Sequence, residues 1–510
     1  MNRLLNVALA LGDRTNPVTV KELRQAVQSR LVIGILLLFL LANVLTVCLY
    51  VLVNPDNIKS ERAGQVLFSI LFVVLVLTSM IFVPLYAAVR LTMERNDSNI
   101  DLLFITTIAP AAIVRGKFLA AVALTALIYS TCLPFLTLTY LLRGIDLPSI
   151  FSALAVAFLM TSLAIMFAIF VGSIAGGLLV RLFLGAGFLF IGAWLLIYTI
   201  LAGMGIVQMG FASMFSSREA WAIFGVCLAL GLFAMGLMYL LAVAAVSARS
   251  SNRMFPFRVF MTVCWLLFGA AFVGWSLIEK SDMPVLMWSM TCAGMLSAML
   301  IFVLAEREHW TVRVKRRIPR FGLGRFLAWL LFTGSAGGVA WCVLLADVSV
   351  LVGFVMTADS GNYHPTNPTP VEALNVMCGL LLFAWCYGMS GVFVRRIFIR
   401  KSAPLLNTVI ALVLLALGSS VPLVLAYMLE GPDRLFNQLP LLFLLGNPLV
   451  LGRPAHEQIV IFGFLLVWAI FGLLVNIRWF FDQWAAFRRY EPKPVDRPEA
   501  TTPEPAVAHA

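Results

Sequence analysis

Long uncharged apolar runs alternate with short polar stretches along almost the whole chain. The hydrocarbon core of a bilayer takes about 20 residues of helix, so uncharged runs of that length read as membrane helices. The pattern predicts twelve spans, near 31–53, 66–89, 118–142, 150–176, 182–206, 220–246, 259–278, 285–304, 326–350, 373–394, 405–429 and 459–477. The expected fold class is an all-α polytopic membrane protein with about 12 transmembrane helices.

Composition supports this reading. Hydrophobic residues make up 62% of the 510 residues, charged residues only 12%, and the mean hydropathy is +0.98. A soluble domain carries roughly 25% charged residues, so an ordinary globular protein is excluded. The net charge of +12 would suit a nucleic-acid binder, but its placement argues otherwise. With the amino terminus in the cytoplasm, 29 of the 36 Lys and Arg fall in cytoplasmic segments. That asymmetry is what the positive-inside rule describes. Both termini are expected in the cytoplasm, with the lipid bilayer and no nucleic acid as partner. All eight cysteines lie inside predicted spans without the loop-borne pairing of a disulfide framework or metal site. The mixed, polar first thirty residues do not read as a cleavable signal peptide.

The chain divides into 1–30, a first six-span domain at 31–246, a basic linker at 247–258, a second six-span domain at 259–478 and a tail at 479–510. Before the first span, Thr15 or Asn16 can cap a helix and Pro17 suits its first position. Val18, Leu23 and Val27 then form one apolar stripe, leaving Lys21, Glu22, Arg24 and Arg30 toward water, as in an interfacial helix. The second loop of each half opens on Glu-Arg, at Glu94–Arg95 and Glu306–Arg307. The later of these, 306–326, carries seven Arg or Lys and reads as an orientation anchor against anionic headgroups, without an apolar helical core. The segment 430–458 contains "LPLLFLLGNPLVLG", too broken to span and suited to an interfacial or re-entrant helix. Residues 357–372 read as an exposed, turn-rich loop. After the last span, Trp479, Phe480, Phe481, Trp484 and Phe487 read as an aromatic belt with Arg478, Arg488 and Arg489. The Pro- and Ala-rich tail from Glu491 reads as disordered.

Candidate chemistry is sparse. The stretch "VRGKF" lacks the upstream glycine and following Ser or Thr of a phosphate cradle, and the four histidines have no ligand spacing. No enzyme, metal site or cofactor is expected in this chain. As drawn, no span carries a charge near its centre; Asp347 falls toward the outer end of the ninth, and Arg181 marks a turn between spans. Ion-coupled transporters place ionisable groups at membrane depth, so a transporter of this kind needs a separate ATPase.

One loop offers a handle for it. In "MERNDSNIDLLFITTIAPAAIVRGKF", 93–118, Ser98 and Asp101 fit a capping box. Ile100, Leu103, Phe104 and Ile108 share one helical face, Pro110 stops the helix, and Ala111 to Lys117 lead into the third span. This loop resembles the one between the second and third spans of ABC transporter permeases of the type-2 (export) family. The matching residues are Glu94, Arg95, Asp101, Leu102, Leu103, Thr106, Ile113, Val114, Gly116 and Lys117, with departures at Ser98, Asn99 and Thr107. Asn16, Pro17, Lys21, Glu22, Leu23 and Arg24 resemble that family's amphipathic connecting helix, and "LLGNPLVLG" the segment before its last span.

The resemblance implies a permease subunit in a bacterial plasma or inner membrane, with residues 91–117 as the coupling loop. Leu103, Phe104 and Ile108 would dock in a cytoplasmic ATPase, and Glu94, Arg95 and Lys117 would make polar contacts. ATP and magnesium would belong to that partner. If the second six spans form a permease half, one chain completes the pathway; if they are accessory, a homodimer is needed. The alternative is a twelve-span secondary transporter driven by an ion gradient.

Overall fold

A computed structural model describes residues 17–53, 62–96, 109–174, 178–214, 216–248, 250–358, 370–399, 404–430 and 455–490. Every regular element among them is helical. Eleven helices are long and apolar enough to cross a membrane, and a further helix, Leu405–Glu430, has 26 residues. The protein is an all-α polytopic membrane protein. It divides into two compact units, Met1–Arg249 and Ser250–Ala510.

In the first unit, α1 (Pro17–Val27) precedes the span α2 (Arg30–Val53). The second span is α3 (Ala63–Leu77), which passes through a π-helical turn at Thr78–Phe82 into α4 (Val83–Asn96). Then come α5 (Pro110–Leu141), α6 (Leu147–Ser173), α7 (Leu178–Met209), the short α8 (Phe211–Met214) and α9 (Arg218–Val246). The core forms around α3, where Leu67, Phe68, Leu71, Phe72, Leu75 and Val76 are all buried. That spacing puts a broad buried face on one side of α3, with Val66, Ile70 and Leu77 exposed on the other, whereas α2 exposes Leu37, Leu38, Leu41, Leu45 and Leu52. Such an outward apolar face suits lipid. Gly64 permits the closest approach: a Cβ there would run into the carbonyls of Thr139 and Arg143 on α5 and the turn after it. Several buried polar groups donate within their own helices, as with Asn43 Nδ2 to Phe39 O at 2.7 Å and Thr161 Oγ1 to Ala157 O at 2.8 Å.

The second unit contains α10 (Phe255–Glu279), α11 (Met283–Val303), the short α12 (Val312–Lys315), α13 (Gly322–Leu331), α14 (Ser335–Ala358), α15 (Pro370–Phe398), α16 (Leu405–Glu430) and α17 (Ala455–Ala486). Arg258, read from the sequence as the end of a solvated linker, instead sits in the first turn of α10 and is fully buried. Its guanidinium pairs with Glu306 at 2.6 Å and donates to the carbonyls of Leu330, Phe332 and Gly334 at 2.8, 2.7 and 3.1 Å. Those three carbonyls mark the place where the ninth span departs from expectation. The helix that begins before Phe326 ends at Leu331, Phe332 turns extended, and a new helix starts at Ser335. Glu306 closes the knot by accepting from Gly334 N at 2.8 Å. Gly338 makes room, since a Cβ there would collide with the Arg258 guanidinium.

Moving the start of this span to Ser335 also relocates Asp347. It stands at the middle of the 24-residue α14 rather than toward its outer end. Its side chain is exposed, on the same face as the exposed Leu344, Leu351, Phe354 and Val355.

The expected aromatic belt is corrected in part: Phe481 is exposed, and Phe480 and Trp484 are half-buried. Trp479 and Phe487 are buried, with Trp310 and Phe332 packed edge-on against Phe487 at 5.0 and 5.9 Å. Trp479 Nε1 donates to Glu308 Oε1 at 3.1 Å, and Arg395 pairs with the same carboxylate. These rings seal one end of the helix bundle instead of lining a lipid interface. The segments 430–458 and 357–372, except for their helical margins, and the tail from Glu491 lie outside the described residues.

Candidate functional site

Residues 97–108, expected from the sequence to couple to an ATPase, lie outside the described residues, and a described helix stands on either side of them. Glu94 and Arg95 belong to the last turn of α4, although their side chains, like Asp101, Leu103, Phe104 and Ile108 entirely, fall outside the described residues; so does Asn16. Pro110 is the first residue of α5 and Ala109 its extended N-cap. Proline suits that position because its missing N–H would have no helical partner there. The third span therefore starts at Pro110, eight residues earlier than the apolar run alone suggested.

The helix-face spacing then decides where the loop's last residues point. Ile113, Val114, Gly116 and Lys117 are all buried on α5. Lys117 Nζ reaches Glu22 Oε1 of α1 at 2.7 Å, and the two side chains are 5% and 8% exposed. Glu22 was expected to face water and Lys117 to contact a partner; instead they satisfy one another. The correction has a simple cause. α1 carries Glu22 and Ala26 one turn apart, and this strip, rather than the stripe of Val18, Leu23 and Val27, packs on α5. Pro17, Lys21 and Arg24 are exposed, and so is Val27.

Around the pair is a small cavity of about 20 Å³ lined by Glu22, Ala26, Tyr86, Ala87, Arg90 and Lys117 among others. That is the room of about one water molecule. Arg90 Nε donates to the Tyr86 hydroxyl at 3.2 Å, one turn away on α4. The arrangement joins three elements of the first unit. These are α1, the helix that enters the 97–108 loop, and the helix that leaves it. An ion pair this well buried is costly to form unless its geometry is good, and breaking it from one side leaves an uncompensated charge.

Glu306, the counterpart of Glu94 by sequence pattern, behaves differently. Burial pushes its carboxyl above the usual carboxylate range, with Arg258 and the Gly334 N–H pulling it back in part. The second loop is thus locked into its own unit. Sequence reasoning gave 306–326 no apolar helical core; α13, which overlaps its end, buries Gly324 within it and Ala328, Trp329 and Leu330 beyond it.

No group of His, Cys, Asp and Glu suited to a metal ion occurs among the described residues, and the cysteines there are free. Comparison with family models, curated proteins and solved structures finds no match. The class that the fold defines is a multi-pass membrane protein of transporter-like architecture.

Proposed function

We propose that the chain is the membrane-spanning permease subunit of an ATP-binding-cassette exporter, forming the translocation path and driven by a separate cytoplasmic ATPase. The observation that carries this reading is the Glu22–Lys117 pair. It ties the segment that leaves the 97–108 loop to an amphipathic helix beside it, so a push on the loop reaches α1, α4 and α5 as one body. Coupling of this kind needs a rigid element that both sites bias. The residues at 97–108 would form the knob, with Leu103, Phe104 and Ile108 facing the ATPase.

A second reading, an ion-gradient-driven transporter, is favoured by one observation, Asp347 at the middle of α14. A carboxylate at the bilayer centre costs about 3 kcal/mol, and such groups mark ion pathways. The two readings separate in one transport assay on reconstituted protein with its ATPase present. Phe104→Asp is expected to abolish substrate-stimulated ATP hydrolysis with insertion intact, while Asp347→Asn leaves it within about twofold. Unchanged stimulation in Phe104→Asp, with loss of gradient-driven uptake in Asp347→Asn, would reverse the choice.

A further inference from the structure

One surface of the second unit is left unexplained by either reading. Residues 312–326 and 487–490 are stitched together. Tyr490 N donates to Lys315 O at 3.4 Å, and the Arg316 guanidinium lies over the Tyr490 ring at 5.7 Å. Arg325 donates to the carbonyls of Trp484 and Phe487 at 2.8 and 2.7 Å and stacks over the Trp484 ring at 4.4 Å. The loop is therefore a built surface rather than a loose tether. Besides Arg325, these two stretches hold seven Lys or Arg and not one Asp or Glu. Arg313, Arg316, Arg317 and Arg320 are exposed, as are Arg488 and Arg489.

Directly after Arg320 the chain turns apolar without turning inward. Phe321 and Leu323 are 66% and 70% exposed, and Leu327 lies on the outer side of α13 one turn further on. The inner side of α13 is already filled by Ala328, Trp329 and Leu330. A surface that pairs an apolar ridge with uncompensated cations has a specific complement. Acyl-chain boundary takes the ridge, and phosphate takes the guanidinium groups, which bind it bidentately. We infer that this surface is a docking site for acidic phospholipid headgroups, seated at the membrane face with Phe321 and Leu323 inserted and Arg316, Arg317 and Arg320 on the phosphates. Guanidinium is also less strongly hydrated than ammonium, and all six exposed basic positions of the two stretches are Arg. The site is independent of the energy source and of the first unit's loop.

The test uses the full chain in detergent micelles titrated with phosphatidylglycerol or phosphatidylcholine, read by amide hydrogen exchange over 312–331. Phosphatidylglycerol is expected to slow exchange there at least fivefold, phosphatidylcholine to leave it unchanged, and added salt to weaken the effect. The triple variant Arg316→Gln, Arg317→Gln, Arg320→Gln should raise the half-saturating phosphatidylglycerol concentration at least tenfold. These side chains are exposed, so its melting temperature without lipid should match the parent's. Leu323→Ser should weaken binding while keeping the salt dependence. Equal protection by both lipids, or parent-like phosphatidylglycerol binding by the triple variant, overturns the inference. Protection by soluble polyglutamate but not by phosphatidylglycerol overturns it too and assigns the surface to an acidic protein.

Discussion

Arg258→Met is expected to lower the thermal unfolding midpoint of the detergent-solubilised chain by on the order of 10 °C. The size follows from what the guanidinium holds. It pairs with Glu306 at 2.6 Å and serves three carbonyls at the break between α13 and α14. Removing one partner of a buried pair costs about 3–5 kcal/mol, because the other charge stays behind. Here the orphaned carbonyls add to that loss, since buried acceptors are expensive to leave unmade. Because burial raises the Glu306 carboxyl above its ordinary range, its charged form is a burden that Arg258 offsets in part. The sign for the parent protein follows. The stability from this raised group is full below the unfolded carboxylate value and declines as pH rises through the folded one. Arg258→Met should therefore lose most at neutral pH and least under acid, where Glu306 takes up a proton. Arg258→Met combined with Glu306→Leu should recover a large part of the loss, as buried pairs replaced whole often do. A midpoint within 2 °C of the parent for Arg258→Met, measured by tryptophan fluorescence at neutral pH, would contradict the assignment.

The second large effect is expected at Glu22–Lys117. α1 has 11 residues, and a helix that short does not hold itself in water. Its place therefore depends on packing of Ala26 and on the ion pair to α5. A thiol placed at Ala26, which is 2% exposed, reports α1 lifting away. In that background Lys117→Met should speed thiol labelling on the order of a hundredfold, the change that about 3 kcal/mol of local opening brings. The reversed pair, Glu22→Lys with Lys117→Glu, should restore slow labelling to within about tenfold. Equal labelling in parent and Lys117→Met would show that apolar packing alone holds the helix.

Much of this architecture was legible in the chain because lipid imposes strict length and polarity on each span. The approximate number of spans and the placing of the cysteines inside them as free thiols followed from that. What escaped is pairing across sequence distance. Glu22 and Lys117 lie 95 residues apart, and each alone reads as a solvated charge. The break at Phe332–Gly334 is easily missed in hydropathy, because Thr333, Gly334 and Ser335 are uncharged inside a long apolar run and the group that stabilises the break is Arg258, at least 72 residues earlier. That misplaced boundary also displaced Asp347. The aromatic cluster near the last span looked like a belt, since Trp and Phe beside Arg are equally common at lipid interfaces; only the packing of Trp310 and Phe332 on Phe487 distinguishes a bundle seal. The first coupling loop remains a sequence inference, carried by the cap at Ser98, the face of Leu103, Phe104 and Ile108, and the family resemblance.

The claim at the centre of the account is that ATP hydrolysis in another polypeptide drives this chain. The most direct measurement purifies the chain from its native membranes in mild detergent and reconstitutes it into sealed vesicles. Co-purification of an ATPase whose hydrolysis depends on the 97–108 loop, with transport that requires ATP and survives collapse of every ion gradient, is the predicted result. Transport by the chain alone, without ATP and driven by a proton or sodium gradient, would contradict it.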